Sequence, residues 1–505
     1  MLNLACRNTN KLIREKSKSE NIRLGRFFTK RDTAALMAKM FRLRTDKSAY
    51  TILDPGAGTG ILSAALIERI CREVPECKQI FITAYETDER FLPMLEDNLE
   101  RIRKKARHDY GVKLYITVYN ENYILDSKNH YTVNFFNTVP DTFDLIICNP
   151  PEALLEKASD EAEEAGGVTQ IKVNEAFLFA KMAMTHLEPG GQLVIMLPTT
   201  VATASGLTGL RRELAENLAI YGVHLFIGKQ KNENRAVPLK KNLILAFEKG
   251  EKPETITIST STDDGSLEHT EVLPSLPYGF VVNEPDGSLT LPKSEEDTKI
   301  VKYISSFPET LSSLGLKMST GLILESRCAG LLLSEPTNGA VPLIRPSCLT
   351  GGIVKHPLSG KYQYIAPVSH SLVQRNKNMI FVKRVPAVGD ERTLNASVYL
   401  AGSQPNYRYI STHNKINFID TKKEDAEIPT RLAFGLFCLL NSTVYDRYIS
   451  IVSKSKQINS KEFRSLPLPP RNIIENIGMR LMDIRQTSVK ACDSIVNPTL
   501  HIIEK

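Results

Sequence analysis

Residues 51–70 of the 505-residue chain read TILDPGAGTGILSAALIERI and contain the strongest indication of its fold. A short β-prone run leads into a glycine-rich turn, Asp54 to Gly60, and an amphipathic helical pattern follows the turn. Glycines let a backbone approach a ligand closely, and the free amides at the start of a helix suit a carboxylate or a phosphate. Because open α/β sheets bind ligands at the carboxyl ends of their strands, the stretch predicts a ligand-binding strand–turn–helix unit.

The residues after this unit continue the alternation of strands and helices. The spacing predicts an α/β fold with a doubly wound, Rossmann-like parallel sheet. The strands predicted after residue 70 are 79–88, 113–122, 143–151, 192–198, 221–228 and 241–249, and the helices predicted between them are 91–106, 174–187 and 209–218.

A change of composition marks the end of this domain. Residues 250–296 are rich in Ser, Thr, Glu, Pro and Gly and have little helical periodicity. The chain is also too long for one hydrophobic core. We therefore predict an N-terminal extension (1–20), a catalytic α/β domain (21–250), a linker or surface excursion (251–299) and a second, mixed α/β domain (300–505).

The charge is divided unevenly between the two halves. Residues 301–505 contain 26 Lys and Arg against 15 Asp and Glu, whereas residues 1–300 contain 38 against 42. A polyanion bound mainly by the second domain would explain this asymmetry, because Lys and Arg supply the sequence-independent part of DNA affinity. A basic solubilising surface explains it equally well.

The cysteines and the apolar runs bear on where the protein works. The eight cysteines form no C-x-x-C pair and no cluster with histidine, so the sequence indicates neither a metal site nor a disulfide framework. The first 20 residues lack the apolar core of a secretory signal, and no run of about 18 apolar residues occurs. We therefore expect a soluble protein in the reducing cytoplasm.

Glu86 ends the strand that is predicted after the glycine-rich turn. An acid at this place can accept hydrogen bonds from both hydroxyls of a ribose. Taken alone, an acidic residue at a strand end is more often a solvated loop charge. The leading Asp54 and the Asn149-Pro150-Pro151 motif after the fourth strand distinguish the pattern from a nicotinamide site, because hydride transfer has no use for that motif.

The motif Asn149-Pro150-Pro151 suits chemistry on an exocyclic amine. The lone pair of such an amine on adenine is delocalised into the ring, so its attack on a sulfonium methyl needs acceptors for both amine hydrogens. The Asn149 side-chain oxygen and the Pro150 carbonyl, fixed by the stiff Pro-Pro backbone, are suited to supply them. The structural alternative is a Pro-rich turn that only ends a strand.

From about residue 21 to 470, the chain resembles the gamma-class N6-adenine DNA methyltransferases of type II restriction-modification systems, in particular the PstI/BsuBI-like branch. Residues 24–29 (LGRFFT) resemble the family's N-terminal cofactor motif, the glycine-rich turn its methionine-binding loop, and residues 120–123 (NENY) the motif that holds the cofactor's adenine. The resemblance implies S-adenosylmethionine as the cofactor. The cofactor-binding residues that it implies are Phe28, Thr29, Asp54, Gly56, Gly58, Glu86, Asn122 and Tyr123.

The catalytic motif departs from the family at its fourth position. The family has an aromatic residue there, which stacks on the adenine after it is flipped out of the duplex, whereas this chain has Glu152. Three explanations remain open: Phe177 or Phe179 takes over the stacking, the chain is a catalytically silent member that binds DNA, or the substitution was introduced deliberately. The catalytic residues that the resemblance implies are Asn149, Pro150, Pro151 and Glu152.

Three further departures lie outside the catalytic motif. Lys30 stands where the family has a proline, and Asn122 stands where it has the acid that holds the cofactor's adenine. Residues 198–201 (PTTV) replace the family's Pro-Arg-Ser-Phe run.

The second domain resembles the family's target-recognition domain. Residues 319–327 (STGLILESR) resemble its opening segment, residues 381–384 (FVKR) its basic hairpin, and residues 466–469 (LPLP) its closing signature. A basic residue here is more often a phosphate contact than a base reader, because most protein–DNA contacts go to the backbone. The DNA-binding residues predicted in this domain are Lys383, Arg384, Arg392, Lys454 and Lys456.

The resemblance implies site-specific transfer of a methyl group from S-adenosylmethionine to N6 of adenine in double-stranded DNA, which would mark host DNA against a separate restriction endonuclease. Two alternatives from other classes remain: a non-catalytic DNA-binding subunit with the same fold, and a methyltransferase for RNA or for a protein glutamine. The basic second domain favours a nucleic acid over a protein. The resemblance across that domain favours DNA.

Overall fold

Two compact units divide the chain in the computed structural model, Met1–Ser294 and Glu295–Lys505. The structure describes residues 1–14, 29–126, 142–156, 159–164, 172–227, 242–262, 267–358, 360–367, 369–385, 392–453, 458 and 460–501. Three predicted site residues, Phe28, Lys454 and Lys456, lie outside the described residues.

The first unit is built around a large mixed sheet. In chain order, the strands of this unit are β1 (Ala49–Pro55), β2 (Gln79–Tyr85), β3 (Lys113–Tyr119), β4 (Phe143–Cys148), β5 (Leu154–Glu156), β6 (Lys172–Asn174), β7 (Leu187–Pro198), β8 (Ala219–Ile227), β9 (Asn242–Glu248), β10 (Thr255–Thr262), β11 (Thr270–Val272), β12 (Leu276–Pro277), β13 (Val282–Asn283) and β14 (Ser288–Leu289). The large sheet has the order β11-β10-β8-β9-β7-β4-β1-β2-β3, with β12 paired to β10, while β5–β6 and β13–β14 are separate ribbons. The pairs β1–β2, β2–β3, β1–β4 and β4–β7 are parallel, whereas β9 is antiparallel to both of its neighbours.

Helices cover both faces of this sheet. The α-helices of the first unit are α1 (Leu2–Arg14), α2 (Arg31–Met40), α3 (Ile61–Glu73), α4 (Leu92–Tyr110), α5 (Tyr123–Asp126), α6 (Asp160–Glu164), α7 (Glu175–Thr185), α8 (Thr208–Asn217) and α9 (Tyr278–Val281). Ile52 lies in a core cluster with side chains of α1 to α4, and its neighbour Leu53 lies in another with side chains of α7 and α8. Consecutive strand residues point to opposite faces, so β1 contacts both layers. The predicted α/β, doubly wound sheet is therefore confirmed, although β9 departs from the parallel arrangement.

Residues 255–262 lie in the segment predicted as a linker or surface excursion, but they form β10, which extends the large sheet beside β8. Ile256 and Ile258 are fully buried on one face of this strand. On the other face, Ser259 and Ser261 hydrogen-bond the two ring nitrogens of the buried His224 at 2.8 and 2.9 Å. The high content of Ser and Thr concealed the strand, because these hydroxyls pair with a histidine where apolar side chains are expected.

The second unit combines two sheets with α-helices, as a mixed α/β domain does. Its strands are β15 (Leu316–Thr320), β16 (Leu332–Leu333), β17 (Val341–Ile344), β18 (Leu349–Thr350), β19 (Ile353–Val354), β20 (Tyr364–Ile365), β21 (Gln374–Arg375), β22 (Met379–Lys383), β23 (Ala396–Tyr399), β24 (Tyr409–Thr412) and β25 (Ile416–Thr421). One sheet has the order β15-β25-β22-β23-β19-β18 and the other β16-β20-β17-β24-β21. The α-helices are α10 (Glu295–Ser305), α11 (Glu325–Cys328), α12 (Thr430–Asn441), α13 (Thr443–Val452), α14 (Ser460–Phe463), α15 (Arg471–Ile484) and α16 (Val489–Thr499).

Two glycines let α12 and α15 cross closely in the second unit. A Cβ at Gly435 would lie 2.0 Å from the Ile474 carbonyl oxygen, and a Cβ at Gly478 would lie 1.9 Å from that of Arg431. Short 3-10 helices complete the two units at Thr199–Ala202, Ser205–Leu207, Leu267–His269, Ala329–Leu331, Pro346–Cys348, His370–Leu372 and Ala401–Ser403. Among the described residues, no helix is long and apolar enough to span a membrane.

Candidate active site

The glycine-rich turn connects β1 to α3 and is held against the end of β2. Gly56, Gly58 and Gly60 adopt φ values of 75°, 58° and 78°. The Gly58 N–H donates to Glu86 Oε2 at 2.7 Å. The turn and the predicted ribose-binding acid therefore form one structure at the carboxyl ends of the parallel strands.

A side chain at Gly60 would be strained and crowded. Its φ is 78°, and an added Cβ would lie 2.9 Å from Leu95 Cδ1 of α4. We expect Gly60→Ala to lower the free energy of unfolding by about 1–3 kcal/mol, through left-handed strain and overpacking. Urea unfolding measures this change. The control is Gly209→Ala in α8, where no atom lies within 4 Å of the added Cβ, so that variant should be at least as stable as the unmodified protein. Equal stability of the two variants would contradict this close packing.

The N-terminal helix α1, predicted only as an extension, supports the same turn. Thr9 Oγ1 forms a hydrogen bond with Thr59 Oγ1 at 2.7 Å, and Asn98 Nδ2 of α4 donates to the Thr59 carbonyl at 2.8 Å. Asn8 in turn donates to Asn98 Oδ1 at 2.8 Å. The local sequence of α1 carries no sign of this role, because the threonine contact joins residues 50 positions apart.

Asp54 lies fully buried at the end of β1, behind the turn. Its Oδ2 accepts hydrogen bonds from the Ser63 N–H at 3.1 Å and the Ser63 hydroxyl at 2.5 Å. Its Oδ1 has no partner among the described residues. Burial raises the pKa of Asp54 to about 7, although the Ser63 hydrogen bonds oppose the shift. The ionised carboxylate is therefore poorly compensated and would be stabilised by a cationic ligand at the turn.

Glu86 follows β2 and is nearly buried. Besides the Gly58 N–H, it accepts a hydrogen bond on Oε1 from the Asp88 N–H at 2.7 Å. Asn120, which follows β3, fixes the same backbone by donating to the Glu86 carbonyl at 2.9 Å. Burial raises the pKa of the Glu86 carboxyl above its ordinary value, and the two N–H donors oppose this shift. Each carboxylate oxygen retains capacity for a further donor, such as a hydroxyl.

Asn122 and Tyr123 follow Asn120 at the start of α5. Asn122 Oδ1 accepts the Ile124 N–H at 3.0 Å, and its Nδ2 donates to Glu161 Oε1 at 3.1 Å. Tyr123 is buried, and its ring centroid lies 5.3 Å from that of Phe179. Asn122 thus caps a short helix, while Tyr123 and Phe179 form an aromatic wall.

Asn149 and Pro150 follow β4, the strand beside β1. Asn149 Nδ2 donates to Thr29 Oγ1 at 2.9 Å. Within the described residues, neither Asn149 Oδ1 nor the Pro150 carbonyl accepts a hydrogen bond. Pro151 packs toward the turn, since its Cδ lies 3.9 Å from the position of a Cβ on Gly56. Two acceptors are thus available next to the glycine-rich turn.

Glu152 is exposed, and its carboxylate is held by another side chain. Asn242 Nδ2, at the start of β9, donates to Glu152 Oε1. Asn174 Nδ2 donates to the Glu152 carbonyl at 3.4 Å. The residue at the position of the family's aromatic side chain is therefore tied to β9 by a polar contact.

One cleft of about 930 Å³ brings most of the predicted residues together. The predicted residues that line it are Thr29, Gly56, Gly58, Glu86, Asn122, Tyr123, Asn149, Pro150, Pro151 and Glu152. Asp54 lies behind the turn rather than in the wall. The lining residues outside the predicted set are Lys30, Thr33, Tyr85, Thr87, Asp88, Phe91, Glu121, Ala153, Glu175, Phe179, Met196 and Asn242.

The two aromatic residues considered as replacements at position 152 differ in their surroundings. Phe177 and Phe179 are both buried on α7, but Phe179 lines the cleft and Phe177 does not. A Cβ at Gly56 would lie 3.6 Å from Phe179 Cε1. Glu175, one helical turn before Phe179, also lines the cleft, and burial raises the pKa of its carboxyl. Because Glu175 and Phe179 are four residues apart, the helical period alone predicts that their side chains lie on one face of α7.

The predicted DNA-binding residues of the second unit have different environments. Arg392 donates through Nη2 to the carbonyls of Asn441 and Ser442 at 2.9 and 3.3 Å, which suits a structural role. Arg384 donates to the Asn414 carbonyl at 3.5 Å. The Lys383 side chain, at the end of β22, has no partner among the described residues.

Comparisons with known proteins place these observations in context. The sequence model of the family described as N-6 DNA Methylase matches residues 10–264. The chain is 25% identical over 498 residues to the Type II methyltransferase M.PstI of Providencia stuartii, covering 95% of this chain and 94% of the relative. It is 26% identical over 481 residues to the Type II methyltransferase M.BsuBI of Bacillus subtilis, covering 92% and 90%. The predicted resemblance is thereby confirmed.

Solved structures show weaker similarity. The Type IIL restriction-modification enzyme MmeI in complex with DNA matches with 10% identity and a TM-score of 0.45, over 100% of this chain and 74% of that chain. The type IIG restriction endonuclease BpuSI matches with 12% identity and a TM-score of 0.42, over 93% and 64%.

Proposed function

Because the chain belongs to the N-6 DNA methylase family, it is an adenine-specific DNA methyltransferase, and we propose that it transfers the methyl group of S-adenosylmethionine to N6 of an adenine in a specific duplex sequence. The observation that carries the proposal is the position of Asn149 and Pro150, in one cleft with the glycine-rich turn and Glu86. This arrangement combines acceptors for an amine with a site that suits a nucleoside cofactor.

The chemistry of the cleft fits S-adenosylmethionine. When bound, this cofactor supplies a methyl group on a positively charged sulfur. The poorly compensated carboxylate of Asp54 would favour such a cation at the turn. Glu86 offers carboxylate oxygens to the ribose hydroxyls, and Tyr123 with Phe179 offers an aromatic wall to the adenine ring.

Asn149 and Pro150 would act on the substrate amine. Each supplies one oxygen to one hydrogen of N6, which keeps the nitrogen lone pair out of the ring and directs it toward the methyl group. One of these hydrogens leaves as a proton after the transfer. Pro151, packed against Gly56, keeps the motif beside the turn.

The second unit would hold the DNA. Its excess of Lys and Arg over Asp and Glu suits phosphate contacts, and Lys383 is a candidate because its side chain is unpaired among the described residues. Both relatives above are Type II methyltransferases. We extend this context to the present chain, which would protect cytoplasmic host DNA from a separate restriction endonuclease.

Methyl transfer from labelled S-adenosylmethionine to unmodified bacterial DNA tests the proposal, with the unsubstituted protein and with Glu152→Tyr in parallel. We expect both proteins to transfer the label to N6 of adenine. The tyrosine should raise kcat/KM for DNA by about 10-fold, because a base stacked on an aromatic ring gains roughly 1–3 kcal/mol. Glu152→Gln, which keeps an oxygen for Asn242 but removes the charge, separates stacking from repulsion of the DNA backbone.

Two results would count against the proposal in different ways. Activity only in Glu152→Tyr would show that Glu152 makes the unsubstituted protein inactive. Binding of cofactor and DNA without transfer by either protein would replace the catalytic proposal with a DNA-binding role.

A further inference from the structure

The Asn149 amide is held by a side chain that lies 120 positions earlier in the chain. Thr29, which precedes α2, accepts a hydrogen bond on Oγ1 from Asn149 Nδ2 at 2.9 Å. Both residues line the cleft and are partly buried. This contact therefore bears directly on which end of the amide faces the cleft.

The orientation of this amide decides whether the proposed chemistry works. The oxygen and the nitrogen ends of an asparagine side chain have nearly the same shape, but only the oxygen accepts a hydrogen bond. With the oxygen toward the substrate amine, the amide N–H groups point to the wall and need an acceptor there. In the reverse orientation, amide N–H groups would face amine N–H groups, and the amine would lose an acceptor.

We propose that Thr29 is a positioning residue, whose hydroxyl oxygen accepts the Asn149 amide N–H and so stabilises the orientation with Oδ1 toward the substrate amine. The inference rests on the proposed function and assigns to Thr29 a task beyond covering the cofactor. Without this oxygen, the productive orientation leaves a partly buried N–H group unsatisfied. The rate of transfer should therefore suffer more than the binding of the cofactor.

The test compares Thr29→Val and Thr29→Ser in steady-state methylation of duplex DNA. Valine has nearly the shape of threonine but lacks the oxygen, so kcat should fall about 10-fold or more, while the affinity for S-adenosylmethionine changes less than about 3-fold. Serine keeps the oxygen and should restore most of kcat. Thr45→Val, at an exposed turn position, is the matched control and should leave kcat unchanged. Thermal unfolding of each variant verifies that it is folded.

A double-mutant cycle with Asn149→Ala decides whether Thr29 acts through Asn149. If it does, Thr29→Val should cost nothing further when Asn149 is already alanine. Equal, additive losses in both backgrounds would overturn the inference, as would an unchanged kcat in Thr29→Val with weakened cofactor binding. Failure of serine to rescue would also overturn it, because the methyl group would then be the part that matters. These outcomes assume an active unmodified protein, whereas absence of N6 methylation by that protein would contradict the proposed function itself.

Discussion

Asn149→Ala is expected to lower kcat for adenine methylation by about 10²–10³-fold, the loss typical of removing one fixed electrostatic contact to a reacting group. The substitution removes the oxygen that we assign to one N6 hydrogen and leaves the Pro150 carbonyl in place. The affinity for S-adenosylmethionine should change little, because the turn and Glu86 are untouched. Steady-state transfer from labelled cofactor, together with equilibrium cofactor binding, measures both quantities.

The matched control is Asn217→Ala at the exposed end of α8. Among the described residues, the Asn217 side chain donates to the Glu213 carbonyl of its own helix, so its loss should leave the rate within about 2-fold. An unchanged rate in Asn149→Ala would show that Asn149 takes no part in the methyl transfer. A protein with weakened cofactor binding and an unchanged transfer rate would instead make Asn149 part of the cofactor site.

The sequence predicted the parts of this site that are fixed by the ends of strands. Asp54, Glu86 and Asn149 directly follow or end neighbouring strands of one sheet, β2-β1-β4 in spatial order. The carboxyl ends of parallel strands lie on the same edge of a sheet. Three separate motifs could therefore be assigned to one cleft without knowledge of any tertiary contact.

The contacts that the sequence did not predict join segments by side-chain hydrogen bonds. Thr29 reaches Asn149, and Asn242 reaches Glu152 across 90 positions. No periodicity or spacing encodes such pairs, because they depend on how segments far apart in the chain meet at one edge of the sheet, where β7 lies between β9 and β4. The environment of Arg392 was missed for the same reason, since its partners are carbonyls at the end of α12.

Asp54→Asn is expected to stabilise the free protein and to weaken its binding of S-adenosylmethionine. The pKa of Asp54 is about 7 in the folded protein, against an ordinary value of 3.8. Between about pH 4 and 7 the folded state therefore holds a proton that the unfolded chain has released, so the stability falls as pH rises through this window and levels off above it. The difference between the two pKa values corresponds to a loss of about 4 kcal/mol in the free energy of unfolding for this fully buried group. Asparagine removes that slope, and urea unfolding from pH 5 to 8 should show the largest gain in stability at pH 8.

The affinity for the cofactor should depend on pH in the opposite sense from the stability. A cation bound at the turn favours the ionised carboxylate, so the Kd for S-adenosylmethionine should decrease as pH rises from 6 to 8. In Asp54→Asn the Kd should be raised roughly 10–100-fold at pH 8 and should lose this dependence on pH, because the buried negative charge beneath the turn is missing. Asp46→Asn is the matched control, since Asp46 is exposed and paired with Arg44. This variant should raise neither the free energy of unfolding nor the Kd for S-adenosylmethionine. Unchanged cofactor binding in Asp54→Asn would show that this carboxylate does not contribute to cofactor binding and has only a structural role beneath the turn.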